Sequence, residues 1–194
     1  PDKKDWSTGV VMVDINGDGW LDVYVCNAGY GNDFGQENEL FINNGNLTFT
    51  EKAKEYGLDD KGYSTHAAFF DYDKDGDLDM YLLTTRLARR EGARFMNNNS
   101  RDTLKTDFDR LSRNDWNETL QHPVFTDVSK SAGIMHPGFG LGLAIVDINK
   151  DGWKDVYVTN DFYGSDLMYI NNKNGTFTNR LQEMFKHTSQ NAMG

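Results

Sequence analysis

The chain has 194 residues, 30 of them acidic and 20 basic, with a formal net charge of −10 at pH 7. This is an ordinary length for one domain, and its acidity disfavours nucleic-acid binding, which requires a basic surface. It contains no run of about 18 apolar residues that would mark a transmembrane helix. Its single cysteine, Cys26, provides no disulfide framework and is expected to be a buried small hydrophobe.

The first predicted elements are an apolar strand at 9–13, an acidic loop DINGDGWLD at 14–22 (loop 1), and a strand LDVYV that leaves this loop. Alternation and β-branched or aromatic content indicate strands on both sides. Two further strands follow, ELFINN at 39–44 and FTE at 49–51. The first unit therefore contains four strands, which is the content of one propeller blade.

The same order recurs twice along the chain. The acidic segments are DYDKDGDLD at 71–79 (loop 2) and DINKDGWKD at 147–155 (loop 3). The accompanying predicted strands are HAAFF, LDMYLL, RLSRND and FTD around loop 2, and GLAIV, KDVYV, LMYINN and FTN around loop 3. Repetition of one supersecondary unit is typical of propellers and solenoids, and the longer second unit contains an insertion at 84–108.

The three loops carry oxygen-bearing side chains at positions one, three, five and nine, with glycine at position six. Calcium takes six to eight oxygen ligands at about 2.3–2.6 Å, whereas magnesium prefers a tight octahedron that keeps its own waters. The predicted calcium ligands, with position seven contributing a backbone carbonyl, are Asp14, Asn16, Asp18, Trp20 and Asp22; Asp71, Asp73, Asp75, Asp77 and Asp79; and Asp147, Asn149, Asp151, Trp153 and Asp155. Two carboxylates about 4 Å apart repel by roughly 4 kcal/mol at an effective dielectric of 20, so such a cluster favours a bound cation.

Two other interpretations of the loops remain. An EF-hand would have a bidentate Glu at position twelve and flanking helices, but these positions are Val25, Leu82 and Val158 and the flanks are predicted strands. The loops could also be solvated turns rich in Asp and Gly. If they bind calcium, loop 2 has the most charge and should bind most tightly. Loop 3, flanked by Lys150 and Lys154, should bind most weakly.

The motif D-x-[DN]-x-D-G-x-x-D followed by a strand, together with the [LM]-x-x-N-[ND] and F-T-[DEN] strands, resembles the FG-GAP/VCBS repeat family of β-propellers. The chain is most similar to the bacterial cartilage acidic protein-like, ASPIC/UnbV-associated members. This resemblance implies an all-β fold of four-stranded antiparallel blades, a ring of about seven, and calcium in the loop between the first two strands of each blade. The segment GFGLGLA at 138–144 only hints at the integrin signature, so integrin-like activity does not follow.

The repeats divide the chain into parts of a single propeller domain. Blade 1 is expected at about 6–58, blade 2 at about 63–134, blade 3 at about 139–186, and the start of blade 4 at about 187–194. Because the last repeat is incomplete, we expect further blades from the same longer chain or from partner chains.

The face opposite the acidic loops is the expected partner-binding surface, since loops on a rigid scaffold often carry binding sites. It is predicted to gather Trp6, Tyr30, Phe34, Tyr63, His66, Phe139, Phe162 and Tyr163, together with Arg86, Arg89, Arg90 and Arg94 of the insertion. These aromatics could stack on sugar rings or only pack between blades. The arginines could dock an anionic glycan or a protein, or could lie in a solvated flap.

The favoured function is a calcium-stabilised extracellular or cell-envelope propeller that binds a protein or glycan ligand. Calcium reaches about 10⁻⁴–10⁻³ M outside cells, where loops of modest affinity suffice. One alternative is a propeller enzyme acting on polysaccharide, although a nucleophile elbow, a phosphate loop and HExxH are absent and no catalytic residue is assigned. Another is a structural subunit of a surface assembly docked through residues 84–108.

Overall fold

The structure is a computed structural model that describes residues 6–28, 37–85, 108–136, 139–161 and 165–185. All named strands within these ranges belong to three four-stranded antiparallel sheets. The all-β prediction is therefore confirmed. The expected start of a fourth blade at 187–194 lies outside the described residues.

Each sheet is built from consecutive strands in chain order. Sheet 1 contains β1 (Trp6–Val13), β2 (Asp22–Ala28), β3 (Glu39–Asn43) and β4 (Phe49–Glu51). Sheet 2 contains β5 (Ser64–Phe70), β6 (Asp79–Thr84), β7 (Arg110–Asn117) and β8 (His122–Asp127). Sheet 3 contains β9 (Gly140–Val146), β10 (Asp155–Asn160), β11 (Leu167–Asn171) and β12 (Phe177–Asn179). This meander gives each sheet the form of a propeller blade.

A single helical turn follows the last strand of each sheet: α1 (Ala53–Tyr56), α2 (Ser129–Ala132) and α3 (Leu181–Met184). The first two end at Gly57 and Gly133, with φ of 74° and 82°. A Cβ at Gly57 would lie 2.8 Å from the carbonyl oxygen of Phe125, and one at Gly133 would lie 2.9 Å from that of Phe177. These two glycines let the end of one sheet lie directly against the fourth strand of the next.

The core lies between successive sheets. One cluster combines Tyr24, Leu40 and Tyr56 of the first unit with Leu82 and Phe125 of the second. The next combines Tyr81 and Leu111 with Val156, Val158 and Phe177. The first strands β1, β5 and β9 lie side by side. Cys26 is fully buried in the first cluster, where burial raises the pKa of its thiol to about 12.

Sheet 2 departs from its neighbours in its last hairpin. The sequence predicts a third strand at 110–115 and a short turn, but β7 continues to Asn117 and pairs with β8 through Trp116↔Pro123 and Asn117↔His122. The turn then closes with Gln121 at a φ of 58°. Because antiparallel strands alternate in direction, this hairpin, the turns after β3 and β11, and all three acidic loops lie at the same end of the sheets.

Candidate metal centres

The aspartates at position nine brace each acidic loop against the third strand of its own sheet. Asp79 is fully buried; one carboxylate oxygen accepts the backbone N–H of Tyr72 at 3.1 Å and the other that of Asn114 at 2.9 Å. The equivalent acceptors are Asp22, which binds Ile15 and Asn43, and Asp155, which binds Ile148 and Asn171. Sequence reasoning treated these aspartates only as ion ligands and missed this structural contact.

An asparagine on the third strand of each sheet completes the brace. Asn114 donates its side-chain amide to the carbonyl oxygen of Leu78 at 3.2 Å, immediately before Asp79. Asn43 and Asn171 make the same contact to Leu21 and Lys154. This asparagine recurs in ELFIN, SRN and MYIN, and that recurrence is the sequence feature from which the contact could have been predicted.

In loops 1 and 3, the carboxylates accept hydrogen bonds from backbone and side-chain groups of the same loop. In loop 1, the Asp14 carboxylate accepts the backbone N–H groups of Asp18 and Gly19 at 3.0 and 2.9 Å. The amide of Asn16 donates to the Asp18 carboxylate at 2.9 Å. Loop 3 repeats these contacts with Asp147, Asn149 and Asp151. A neutral amide at position three therefore bridges what would otherwise be adjacent charges.

Loop 2 has aspartate at position three and lacks that bridge. Oxygen atoms of Asp71, Asp73 and Asp79 lie within 4.8 Å of one another, the one such group of three acids within the described ranges. One oxygen of Asp73 and one of Asp77 are buried without a hydrogen-bond partner. Sequence reasoning gave Asp77 only a carbonyl role, but its carboxylate lies close enough to that of Asp75 to shift its ionisation.

The pKa values report this crowding. Burial, followed by repulsion from Asp75, raises the pKa of Asp77 to about 7. Burial also raises the pKa of Asp79 to about 7, although two backbone N–H groups oppose the shift. The pKa of Asp73 is raised by burial and by Asp75. A divalent cation beside these carboxylates would offset their mutual repulsion and favour their charged forms.

Loop 3 instead has a lysine beside its carboxylates. Lys173, in the β11–β12 turn, places Nζ 3.2 Å from Asp151 Oδ2. The pKa of Asp151 is lowered, first by the N–H of Trp153 and then by Lys173 and Asn149. Sequence reasoning expected Lys150 and Lys154 to act here, and missed Lys173 because it is distant in the sequence.

The loops share two left-handed backbone positions. At position six, Gly19, Gly76 and Gly152 have φ values of 89°, 103° and 87°. At position four, Gly17 has a φ of 74°, whereas the lysines of loops 2 and 3, Lys74 and Lys150, have 63° and 58°. A lysine in this conformation is strained by roughly 1–2 kcal/mol. Lys74 extends to the next sheet, where Nζ lies 4.6 Å from the Trp153 ring centroid.

A second polar brace lies at the opposite end of the sheets and was also missed. Tyr81 donates its hydroxyl to Asp109 at 2.8 Å, and the backbone N–H of Thr84 donates to the same carboxylate at 2.8 Å. Sheet 3 repeats this with Tyr157, Asn160 and Asp166, and sheet 1 uses Tyr24, Asn27 and Asn38. Burial raises the pKa of Asp109 to about 6.

The predicted partner-binding residues fall mostly outside the described ranges. These are Tyr30, Phe34, Arg86, Arg89, Arg90, Arg94, Phe162 and Tyr163. Tyr63 is described and lies just before β5, where its carbonyl oxygen accepts the N–H of Thr85 at 2.8 Å. A cleft of about 370 Å³ lies between the α1 tail and sheet 2, and Arg110 and Asp60 pair within it.

Serial four-stranded sheets with an acidic loop between their first two strands define a propeller-type repeat protein. A model of the FG-GAP-like repeat matches residues 14–82 and 147–194, more than half of the chain. The chain therefore belongs to the FG-GAP-like repeat family. The unmatched middle contains the 84–108 insertion and the extended β7–β8 hairpin. No curated protein matches the chain.

In the described part of the chain, no helix has the length and apolar character needed to cross a bilayer.

Proposed function

We propose that loop 2 binds Ca²⁺ and that the chain is part of a calcium-stabilised β-propeller that serves as a binding module outside the cell or on its surface. The observation that carries the metal assignment is the buried, unpartnered oxygen of Asp73 beside the carboxylates of Asp71 and Asp79. Buried polar atoms are normally hydrogen-bonded, so an orphaned carboxylate oxygen in an acidic cluster points to a cation.

The donor set fits calcium in its chemistry. Asp71, Asp73 and Asp79 would supply hard carboxylate oxygens, and calcium prefers oxygen ligands in flexible geometries. By family likeness, Asp75 and the carbonyl of Asp77 would complete the set. A bound Ca²⁺ would neutralise the cluster and add its binding free energy to folding.

Loops 1 and 3 are proposed as weaker sites. Their ligand positions hold Asp and Asn, but the carboxylates of Asp14 and Asp147 already accept two backbone N–H groups each. An ion would have to compete with these bonds. We therefore propose the affinity order loop 2, then loop 1, then loop 3.

The binding role rests on the family and on the scaffold. FG-GAP-like repeats form rigid propeller blades, and loops on rigid scaffolds are where binding usually occurs. A protein or glycan ligand, a bacterial envelope location and affiliation with the cartilage acidic protein-like members are parts of this proposal. A location rich in calcium agrees with sites of modest affinity.

Thermal unfolding in calcium and in chelator tests the metal assignment. At a calcium concentration of about 100 Kd, binding adds about 2.7 kcal/mol, which corresponds to a Tm increase of roughly 5–10 °C for a chain of this size. Magnesium at the same concentration should produce a smaller increase. An identical melting curve in calcium and in excess chelator would refute the proposal.

A matched pair of variants locates the site. Asp73→Ala should abolish most of the calcium-dependent increase in Tm, because it removes a proposed ligand. Glu183→Ala serves as the control, since Glu183 is exposed and pairs with Arg180 at the start of α3. Equal calcium responses in the two variants would place the ion elsewhere.

A further inference from the structure

Lys173 occupies an unusual position for a lysine. It lies in the β11–β12 turn with a φ of 63°, and its backbone N–H donates to the side-chain oxygen of Asn171 at 2.8 Å. The equivalent residue in sheet 1 is Gly45, with a φ of 72°. A left-handed conformation is relaxed for glycine but strained for lysine.

The side chain of Lys173 reaches the acidic loop of its own sheet. Its ammonium lies 3.2 Å from Asp151 Oδ2, the same oxygen that accepts the amide of Asn149 at 2.9 Å. Position five, which Asp151 occupies, is one of the proposed ion-ligand positions. In sheet 2 the residue equivalent to Lys173 is Trp116 of β7, so loop 2 receives no ammonium from this position.

We propose that Lys173 is the resident counter-ion of loop 3 and lowers the affinity of that loop for divalent cations. This inference rests on the proposed calcium binding of the loops. The ammonium and a divalent ion would compete for the same oxygen, so an ion must displace Lys173 before it can use Asp151. Loop 3 would then stay folded at calcium concentrations that leave loop 2 empty. Lys173 therefore sets the affinity of loop 3 for a divalent ion.

The chain offers a close control for this residue. Like Lys173, Lys150 has a positive φ, of 58°, and carries one charge, and it lies within loop 3 itself. In the described part of the chain, the Lys–Asp ion pair of loop 3 is formed by Lys173. Lys173→Gly and Lys150→Gly therefore remove the same charge and relieve similar backbone strain, but only the first removes the contact to Asp151.

Terbium luminescence can report loop 3 separately. The test uses the whole chain with Asp73→Ala, which removes the proposed site in loop 2, and Trp20→Phe, which leaves Trp153 as the tryptophan inside an acidic loop; Tb³⁺ is the probe and Ca²⁺ the competitor. Asp73→Ala is needed because Nζ of Lys74 in loop 2 lies 4.6 Å from the Trp153 ring centroid, so an ion in loop 2 would also be sensitised. Lys173→Gly should tighten Ca²⁺ binding at loop 3 about fivefold, the upper range of a surface ion pair. Lys150→Gly should change it by less than about twofold, and Lys173→Arg should retain the weak affinity.

A second measurement separates this role from a general effect on folding. In chelator, Lys173→Gly should melt below Lys150→Gly, because Asp151 then has neither the ammonium nor an ion; in saturating calcium the two variants should melt at about the same temperature, because the ion has then displaced Lys173 in Lys150→Gly as well. Equal affinities for the two glycine variants would overturn the role of Lys173. If calcium does not stabilise the wild-type chain at all, the proposed function on which this inference rests is refuted instead.

Discussion

Loops 2 and 3 have the same spacing of acids but neutralise them differently. In loop 3, Asn149 and Lys173 both donate to the Asp151 carboxylate. In loop 2, Asp73 replaces the asparagine and keeps a buried oxygen without a partner. The residue at position three and the lysine in the β11–β12 turn therefore set how much negative charge each loop leaves uncompensated.

The two loops are alike in their attachment to the sheet. Asp79 and Asp155 are both fully buried and each accepts two backbone N–H groups. The motif thus combines an invariant brace at position nine with a variable charge cluster at positions one to seven. Variants that affect only one of these parts can separate them.

The largest expected effect comes from removing the brace. Asp155→Ala leaves the backbone N–H groups of Ile148 and Asn171 without an acceptor, which should cost about 3 kcal/mol of unfolding free energy. Asp79→Ala loses the same two bonds, but in chelator it also relieves the crowding in loop 2 and should cost less. In saturating calcium it also removes a ligand of loop 2, the tightest proposed site, and should cost more than Asp155→Ala, which removes one from the weakest.

Urea unfolding of both variants, in chelator and in calcium, measures this reversal. Glu183→Ala should change stability by less than about 1 kcal/mol under both conditions, because its ion pair with Arg180 is exposed. If Asp79→Ala and Asp155→Ala cost the same in both buffers, loop 2 is no more dependent on an ion than loop 3.

The pH dependence of the metal-free protein should differ between the loops. Asp77 and Asp79 have folded pKa values of about 7, above the unfolded value of about 3.9. The native state therefore binds more protons between about pH 4 and 7, and stability falls as pH rises through this window. The pKa of Asp151 in loop 3 is lowered, so its contribution is lost only as pH falls below the unfolded value.

Urea unfolding of the metal-free chain at pH 5 and pH 7.5 measures this difference. A loss of roughly 2 kcal/mol at the higher pH is expected after allowing for solvent screening. Asp109, with a pKa of about 6, contributes in the same direction, so the Asp109→Asn variant is the background for the comparison. Stability that rises between these pH values would contradict the crowding of loop 2.

Local pattern was enough to predict the strands and the loops. Alternation gave the four-strand unit, and the Asp spacing with glycine at position six gave the turn, since both depend on contacts close in sequence. The extension of β7 was missed because the pairs Trp116↔Pro123 and Asn117↔His122 lie in polar sequence without alternation. The contacts of Asp79 with Asn114 and of Lys173 with Asp151 join segments that are far apart in the sequence. A pattern of neighbouring residues cannot predict such contacts.

A smaller effect should follow from exchanging position three. Asp73→Asn gives loop 2 the amide that loop 3 has in Asn149. In chelator this variant should stabilise the chain by about 1 kcal/mol, because it adds one hydrogen bond and reduces the repulsion between carboxylates. In calcium it should weaken ion binding. Asn149→Asp should do the opposite in chelator. Calorimetric titration measures the calcium affinity of both variants, and thermal melting in chelator measures their change in stability. A stability change of the same sign in both variants would refute the assigned role of position three.

The smallest expected effect concerns the contact that joins the two loops. The ammonium of Lys74, in loop 2, lies over the ring of Trp153, in loop 3, at 4.6 Å. A cation–π contact at an exposed site contributes about 0.5–1 kcal/mol. A double-mutant cycle of Lys74→Gln and Trp153→Leu, read by urea unfolding, should show a coupling of this size. Lys150→Gln in place of Lys74→Gln should show a smaller coupling, because within the described residues the cation–π contact to Trp153 is made by Lys74. Coupling that is absent for Lys74 would mean that the two loops respond to charge independently.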